Sequence, residues 1–247
     1  MSRTVLSRFI VPLSAALVKK TTGIFHRSII ARVFHRFSIA GATPRHNTVF
    51  TDDNPQAYHD TMELFSFCGA MLAVFAGSLD DYEKYEIGES ALVTVLTHAA
   101  LSAPVDLFRE ISGEDEVLPR LCSLSEKSKS TLVTGMIVRY GEVKRLSAAI
   151  AHRGVLEDVA DSCTVPDPFV RGGTVKIFSA GGLSFAVCPG RDACSRLILG
   201  KIAGLCDAAI ALDPTYSLHA ETAVRHLSAE FSLPVLYASP SRIFLSD

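Results

Sequence analysis

The sequence contains no tryptophan, no CxxC pair and no acidic residue before Asp52. The missing tryptophan excludes no class of function. The missing CxxC matters more. Six cysteines (Cys68, Cys122, Cys163, Cys188, Cys194 and Cys206) show no zinc-ligand spacing with histidine, and most lie in or beside apolar runs. That pattern fits reduced thiols in an intracellular compartment better than a disulfide framework. No apolar run reaches the roughly 20 residues that span a bilayer. No GxxxxGK[ST] loop is present to cradle nucleotide phosphates. A formal net charge of -2 gives no hint of nucleic acid.

What is present is a chain of 247 residues, 48% hydrophobic and 20% charged. That suits one large globular domain, or two small ones, with enough length to bury a core. Its charge is unevenly spread. Arg3, Arg8, Lys19, Lys20, Arg27, Arg32, Arg36 and Arg45 stand in an acid-free stretch, and Ile29, Ile30, Val33, Phe34 and Phe37 fall near one helical face. Residues 1–33 therefore read as a mitochondrial-type presequence or as an ordinary basic helix. Without import the expected location is cytoplasmic. A secretory signal fits less well, because Lys19 and Lys20 follow the apolar run Phe9–Val18 and no small-residue cleavage site is evident.

From residue 34 to 247, helical and strand patterns alternate. Phe37–Ala42 is β-prone. Tyr58, Met62, Phe65 and Cys68 form a stripe at helical spacing behind Asn54-Pro55, which predicts a helix to Gly69. Ala70–Phe75 reads as a buried strand, Tyr82–Gly88 as a polar loop, and Leu92–Leu101 as a helix capped by Ser90. A further helix is expected over about Asp115–Ser128. Thr131–Val138 and Leu146–His152 read as strands. Val175–Ser179 and Leu183–Cys188 form a hairpin across Gly181-Gly182. A helix over Ala193–Gly204, a strand at Ala208–Leu212, a helix at Leu218–Phe231 and a strand at Val235–Ala238 complete the pattern. Alternation with hairpins implies an α/β domain with mixed sheets.

One stretch carries chemistry. Phe185–Ser195 reads FAVCPGRDACS, which sets Cys188 at the end of an apolar run before a Pro-Gly turn. By itself this is either a nucleophile at a strand end or a cysteine packed in a core. Several segments resemble, in the same order, the nitrilase or carbon–nitrogen hydrolase superfamily, most of all the glutaminase domain of glutamine-dependent NAD synthetase. They are FSIAGATP (37–44), LAVFAGSLDDY (72–82), TLVTGMIVRYGEVKRLSAAIAHRGVLEDV (131–159), GLSFAVCPGRD (182–192), GLCDAAIALDP (204–214) and AVRHLSAEFSLPVLYAS (223–239). The resemblance implies a four-layer α-β-β-α sandwich, C-terminally incomplete relative to the family domain.

The family hydrolyses amides with a Glu, a Lys and a Cys. A thiol of pKa about 8.5 needs a base or cationic neighbour, the oxyanion needs a donor, and the leaving ammonia needs a proton. The resemblance places Cys188 at the nucleophile, Gly77 at the Glu position and Ser162 at the Lys position. Pro189 replaces the acidic residue that commonly follows the cysteine. Arg225 matches an arginine of the family's late helix; it would orient a substrate carboxylate or sit in a structural ion pair. Asp80 and Asp81, and the cations Arg153, Lys176 and Arg191, are read as surface charges rather than substitutes, and His98 as a surface histidine. No cofactor is implied, and neither ATP nor NAD is carried over. Two functions stay open: a degenerate binding or interaction module, or a diverged thiol amidohydrolase. The expected partners are a second copy of the chain, an active relative or a small amide ligand. No nucleic acid and no membrane span is expected.

Overall fold

The computed structural model describes residues 61–67, 69–84 and 91–246. The apolar runs buried on both faces become the central strands of a set of twelve among the described residues: β1 (Thr61–Phe67), β2 (Ala70–Ala76), β3 (Val93–Leu96), β4 (Val105–Asp106), β5 (Thr131–Tyr140), β6 (Val143–His152), β7 (Val155–Asp161), β8 (Lys176–Ala180), β9 (Leu183–Pro189), β10 (Ala208–Leu212), β11 (Val235–Ser239) and β12 (Arg242–Ser246). The helices are α1 (Leu79–Lys84), α2 (Leu107–Ser112), α3 (Val117–Ser128), α4 (Arg196–Ile202) and α5 (Leu218–Phe231), with single 3-10 turns at His98–Ala100 and Asp192–Cys194. None of these helices is long and apolar enough to cross a membrane.

Among the described residues the strands form two mixed sheets. One runs β1-β2-β3-β5-β6-β7, with β4 also paired to β5; the other runs β12-β11-β10-β9-β8. Within the first, β2, β3 and β5 are parallel and β1 and β6 antiparallel. In the second, β9, β10 and β11 are parallel and the edge strands antiparallel. Between the sheets lies a core of Leu72, Val74, Val93, Val133 and Ile150 against Phe185, Val187, Ile210, Leu212 and Leu236. On the outer face of the first sheet, Phe75, Leu96, Leu132 and Met136 meet Leu79 and Tyr82 of α1 and Leu118, Leu121 and Leu124 of α3. On the outer face of the second, Ala186, Cys188, Ala211 and Tyr237 meet Leu199 and Ile202 of α4 and Val224 and Leu227 of α5. The order is helix, sheet, sheet, helix, the four-layer sandwich expected.

Several local expectations fail for physical reasons. The stripe predicted as a helix over 55–69 is, where described, the edge strand β1. Met62 packs with the outer core and Phe65 with the inner one, so residues that a helix would place on one face sit on two. Leu92–Leu101 is β3 followed by the turn His98–Ala100. Both faces of β3 are buried, which erases the alternation that marks a strand. Tyr82 lies buried in α1 rather than in a polar loop. The helix expected over Ala193–Gly204 is interrupted at Ser195, whose backbone is extended (φ -97, ψ 114). Phe37–Ala42, residues 1–33 and the rest of the chain before Thr61 lie outside the described residues.

Candidate functional site

The parallel strands of both sheets stop at the same end of the sandwich. His98, just past β3, reaches the carbonyl of Leu212 that ends β10, and Ser162, just past β7, reaches Asp192, just past β9. Open α/β sheets bind ligands at such strand ends, so the chemistry of this end decides what the protein can do.

Cys188 is the penultimate residue of β9, paired with Ala211 of β10. Its neighbours Val187 and Phe185 face the inner core, and Cys188 packs in the outer core beneath the α4–α5 layer. It is 0% exposed. Burial pushes its thiol well above the ordinary value, and the Asp192 carboxylate and the thiols of Cys206, Cys163 and Cys194 push the same way. The sulfur is thus a neutral thiol at neutral pH. The five described cysteines, Cys122, Cys163, Cys188, Cys194 and Cys206, are all free.

Gly190 makes the turn after β9. Its φ of +64 suits glycine, its N–H donates to the Leu212 carbonyl at 2.7 Å, and a Cβ there would come within 3.1 Å of Ser162 Oγ. The fold therefore brings Ser162 against the turn that follows Cys188. What fills that space is a buried carboxylate. Asp192 is 1% exposed and accepts from Ser162 Oγ (2.9 Å), Cys163 N (2.8 Å to Oδ2), Thr164 N (2.7 Å) and Thr164 Oγ1 (2.6 Å). Two hydroxyls and two amide N–H groups hold this anion. A run of Ser-Cys-Thr opposite an aspartate thirty residues on carries no sequence signal, and sequence reasoning missed the cradle.

The other candidates lie apart. Gly77 is buried directly after β2. Asp80 and Asp81 occupy the first turn of α1, where the helix dipole favours them; Arg120 holds Asp80 and Glu83. Arg153 is exposed. Lys176 pairs with Asp158 at 2.8 Å. Arg191 lies 3.9 Å from Asp213, a second buried carboxylate that also accepts from Tyr237 Oη and Thr215 N. Arg225 donates to Glu221 at 2.8 Å, and its guanidinium stacks 4.2 Å above the Phe244 ring. Among the described residues no three His, Cys, Asp or Glu side chains group so as to hold a metal.

His98, expected on the surface, is instead half-buried where the strand ends of the two sheets meet. A Cβ on Gly135 would stand 2.7 Å from its Cδ2, so only glycine on β5 admits the ring. Nε2 lies 3.3 Å from the Leu212 carbonyl. A carbonyl only accepts, so Nε2 carries the proton. Burial pushes the imidazole down to about 4, against the opposing pull of that carbonyl. The ring lines a cavity of about 250 Å³ with Leu101, Met136, Ile137, Pro214 and Pro240. Cys188, Ser162 and Asp192 are not part of its wall.

No protein-family model and no curated protein matches the sequence. Solved structures do. A glutamine-dependent NAD+ synthetase from Acinetobacter baumannii matches with a TM-score of 0.51 at 15% identity, covering 68% of this chain and 36% of that one. A carbon–nitrogen hydrolase from Helicobacter pylori matches at 0.52 and 14%, covering 65% of each chain. Saccharomyces cerevisiae Nit3, a member of branch 10 of the nitrilase superfamily, matches at 0.52 and 14%, covering 64% of this chain and 66% of that one. The matched part thus spans about a third of the synthetase and just under two thirds of the other two. With its two face-to-face mixed sheets and flanking helices, this chain has the fold of the nitrilase superfamily.

Proposed function

We propose that the protein is a nitrilase-superfamily member in which Cys188 no longer serves as a nucleophile, and that it works as a binding or interaction module. The observation that carries this reading is the cradle beside Cys188. Where the family resemblance implies a cation, Ser162 donates to the buried Asp192, so the charge nearest the thiol has the wrong sign to favour a thiolate. Gly77, at the position of the family's base, has no side chain to move a proton. Losing a positioned base costs on the order of 10²–10⁴ in rate, and losing an oxyanion donor roughly 10²–10³. Because such groups act together, either loss removes most of the amidase chemistry.

The test is ammonia release from glutamine and simple aliphatic amides by the purified full chain, with Cys188→Ala as control. Both proteins should match the buffer blank. Release that depends on Cys188 would instead establish a diverged thiol amidohydrolase. For the partner of such a module we propose a second copy of the chain or an active relative. Sedimentation of the chain alone and mixed with a nitrilase-fold amidase distinguishes the two.

A further inference from the structure

We infer that the loop Ser162–Thr164 is a binding site for a small carboxylate, and that the chain keeps it shut with its own Asp192. Three observations support this. The first is that site and occupant come from different parts of the fold. The donors all lie in the loop after β7, at the edge of one sheet; the acceptor lies past β9, in the other. The loop is tied down without Asp192. Ser162 N–H donates to the Leu146 carbonyl at 2.8 Å, and the Ser162 carbonyl accepts from Gly172 N–H at 2.6 Å.

The second observation is the arrangement of donors. Thr164 N–H (2.7 Å), Thr164 Oγ1 (2.6 Å) and Ser162 Oγ (2.9 Å) converge on Asp192 Oδ1. Cys163 N–H spans both carboxylate oxygens, at 3.0 and 2.8 Å. Successive N–H groups turned toward one anion make a nest. These donors include no lysine or arginine, so neutral dipoles hold the charge. That suits one negative charge shared by two oxygens. A phosphate dianion would bury a second charge without a partner, and a primary amide would turn its NH₂ toward donors. The third is size. Ser162 is 0% exposed and Asp192 1% exposed, so the space holds a carboxyl group and little more. Asp192→Ala vacates the volume of a formate, and Asp192→Gly that of an acetate. In the intact chain Asp192 has the advantage of an intramolecular ligand, and no free carboxylate enters.

The test is made on the full chain and does not read the reactivity of Cys188, so it stands whichever way that question falls. Saturation-transfer NMR of formate and acetate follows binding. Thermal unfolding in formate, acetate, chloride and formamide, at equal ionic strength, follows stability. The unaltered chain should bind neither carboxylate and should unfold at one temperature in all four. Asp192→Ala should unfold at a lower temperature, bind formate, and recover saturably as formate is added. Asp192→Gly should prefer acetate to formate. Adding Thr164→Val to either variant should weaken uptake by about tenfold or more, the equivalent of one hydrogen bond to a charged acceptor. A variant that folds only with its matching carboxylate present would support the inference as directly. Recovery that chloride or formamide matches, absence of binding by both variants, or variants that stay unfolded in saturating carboxylate would each overturn it.

Discussion

Asp192 and Asp213 are both 1% exposed, and each lies one to three residues past the end of a neighbouring parallel strand. They are held in different ways. Asp192 sits in a cradle of four donors drawn from three consecutive residues of the loop after β7. Asp213 has a tyrosine hydroxyl, one amide N–H and a distant guanidinium. Burial pushes the Asp213 carboxyl above its ordinary value, and the Thr215 N–H, Tyr237 and Arg191 offset only part of this. Depth alone therefore does not decide what a buried carboxylate does. The density and direction of its donors decide it.

The largest expected effect comes from breaking the better-held site. Asp192→Asn turns an NH₂ group toward donors that need an acceptor and should destabilise the fold by roughly 3–5 kcal/mol in urea denaturation. A loss near 1 kcal/mol would mean that the cradle is replaceable by water.

His98 applies the same logic to a base. Its unfolded value is 6.5 and its folded value about 4, so the unfolded chain takes up the proton first as pH falls. Stability should be full above about pH 6.5 and fall by up to about 3 kcal/mol on the way down to pH 4. His98→Gln should flatten that part of the pH–stability curve, and an unchanged slope would show that His98 titrates normally.

The smallest effect belongs to Asp213. The native state keeps this carboxyl's proton above pH 3.8, where the unfolded state has lost it. Wild-type stability should therefore decline as pH rises from 3.8 through the folded value. Asp213→Asn cannot ionise, so it should cost about 1–2 kcal/mol near pH 3.5 and less near neutrality. A gap that widens with pH would reverse the assignment.

The strands around Cys188 and the β8–β9 hairpin were legible because their apolar runs are long and their turns are marked by glycine, whereas the layer order came from the family resemblance. Gly181 and Gly182, both at positive φ, announce the hairpin in the sequence. The edge strands β1, β7 and β12 were not legible. β7 carries Glu157, Asp158 and Asp161, so it lacks the apolar run of a strand, and β12 offers only five residues. At the site, the apolar run of β9 marks Cys188 as a strand-end residue, and the roles given to Cys188 and Ser162 rest on the resemblance alone. The Asp192 cradle and the burial of His98 did not, because both depend on contacts between the two sheets. A histidine two residues past a short strand looks the same in sequence whether it faces solvent or a glycine on a neighbouring strand.

The Asp192 cradle has a mechanical side as well. Its donors belong to the chain leaving one sheet and its acceptor to the chain leaving the other, so it works as a clasp at that corner of the molecule. Slow opening of the sandwich would then begin at the far corner, along β1 and β12, with the amides of Cys163 and Thr164 among the last to exchange with deuterium.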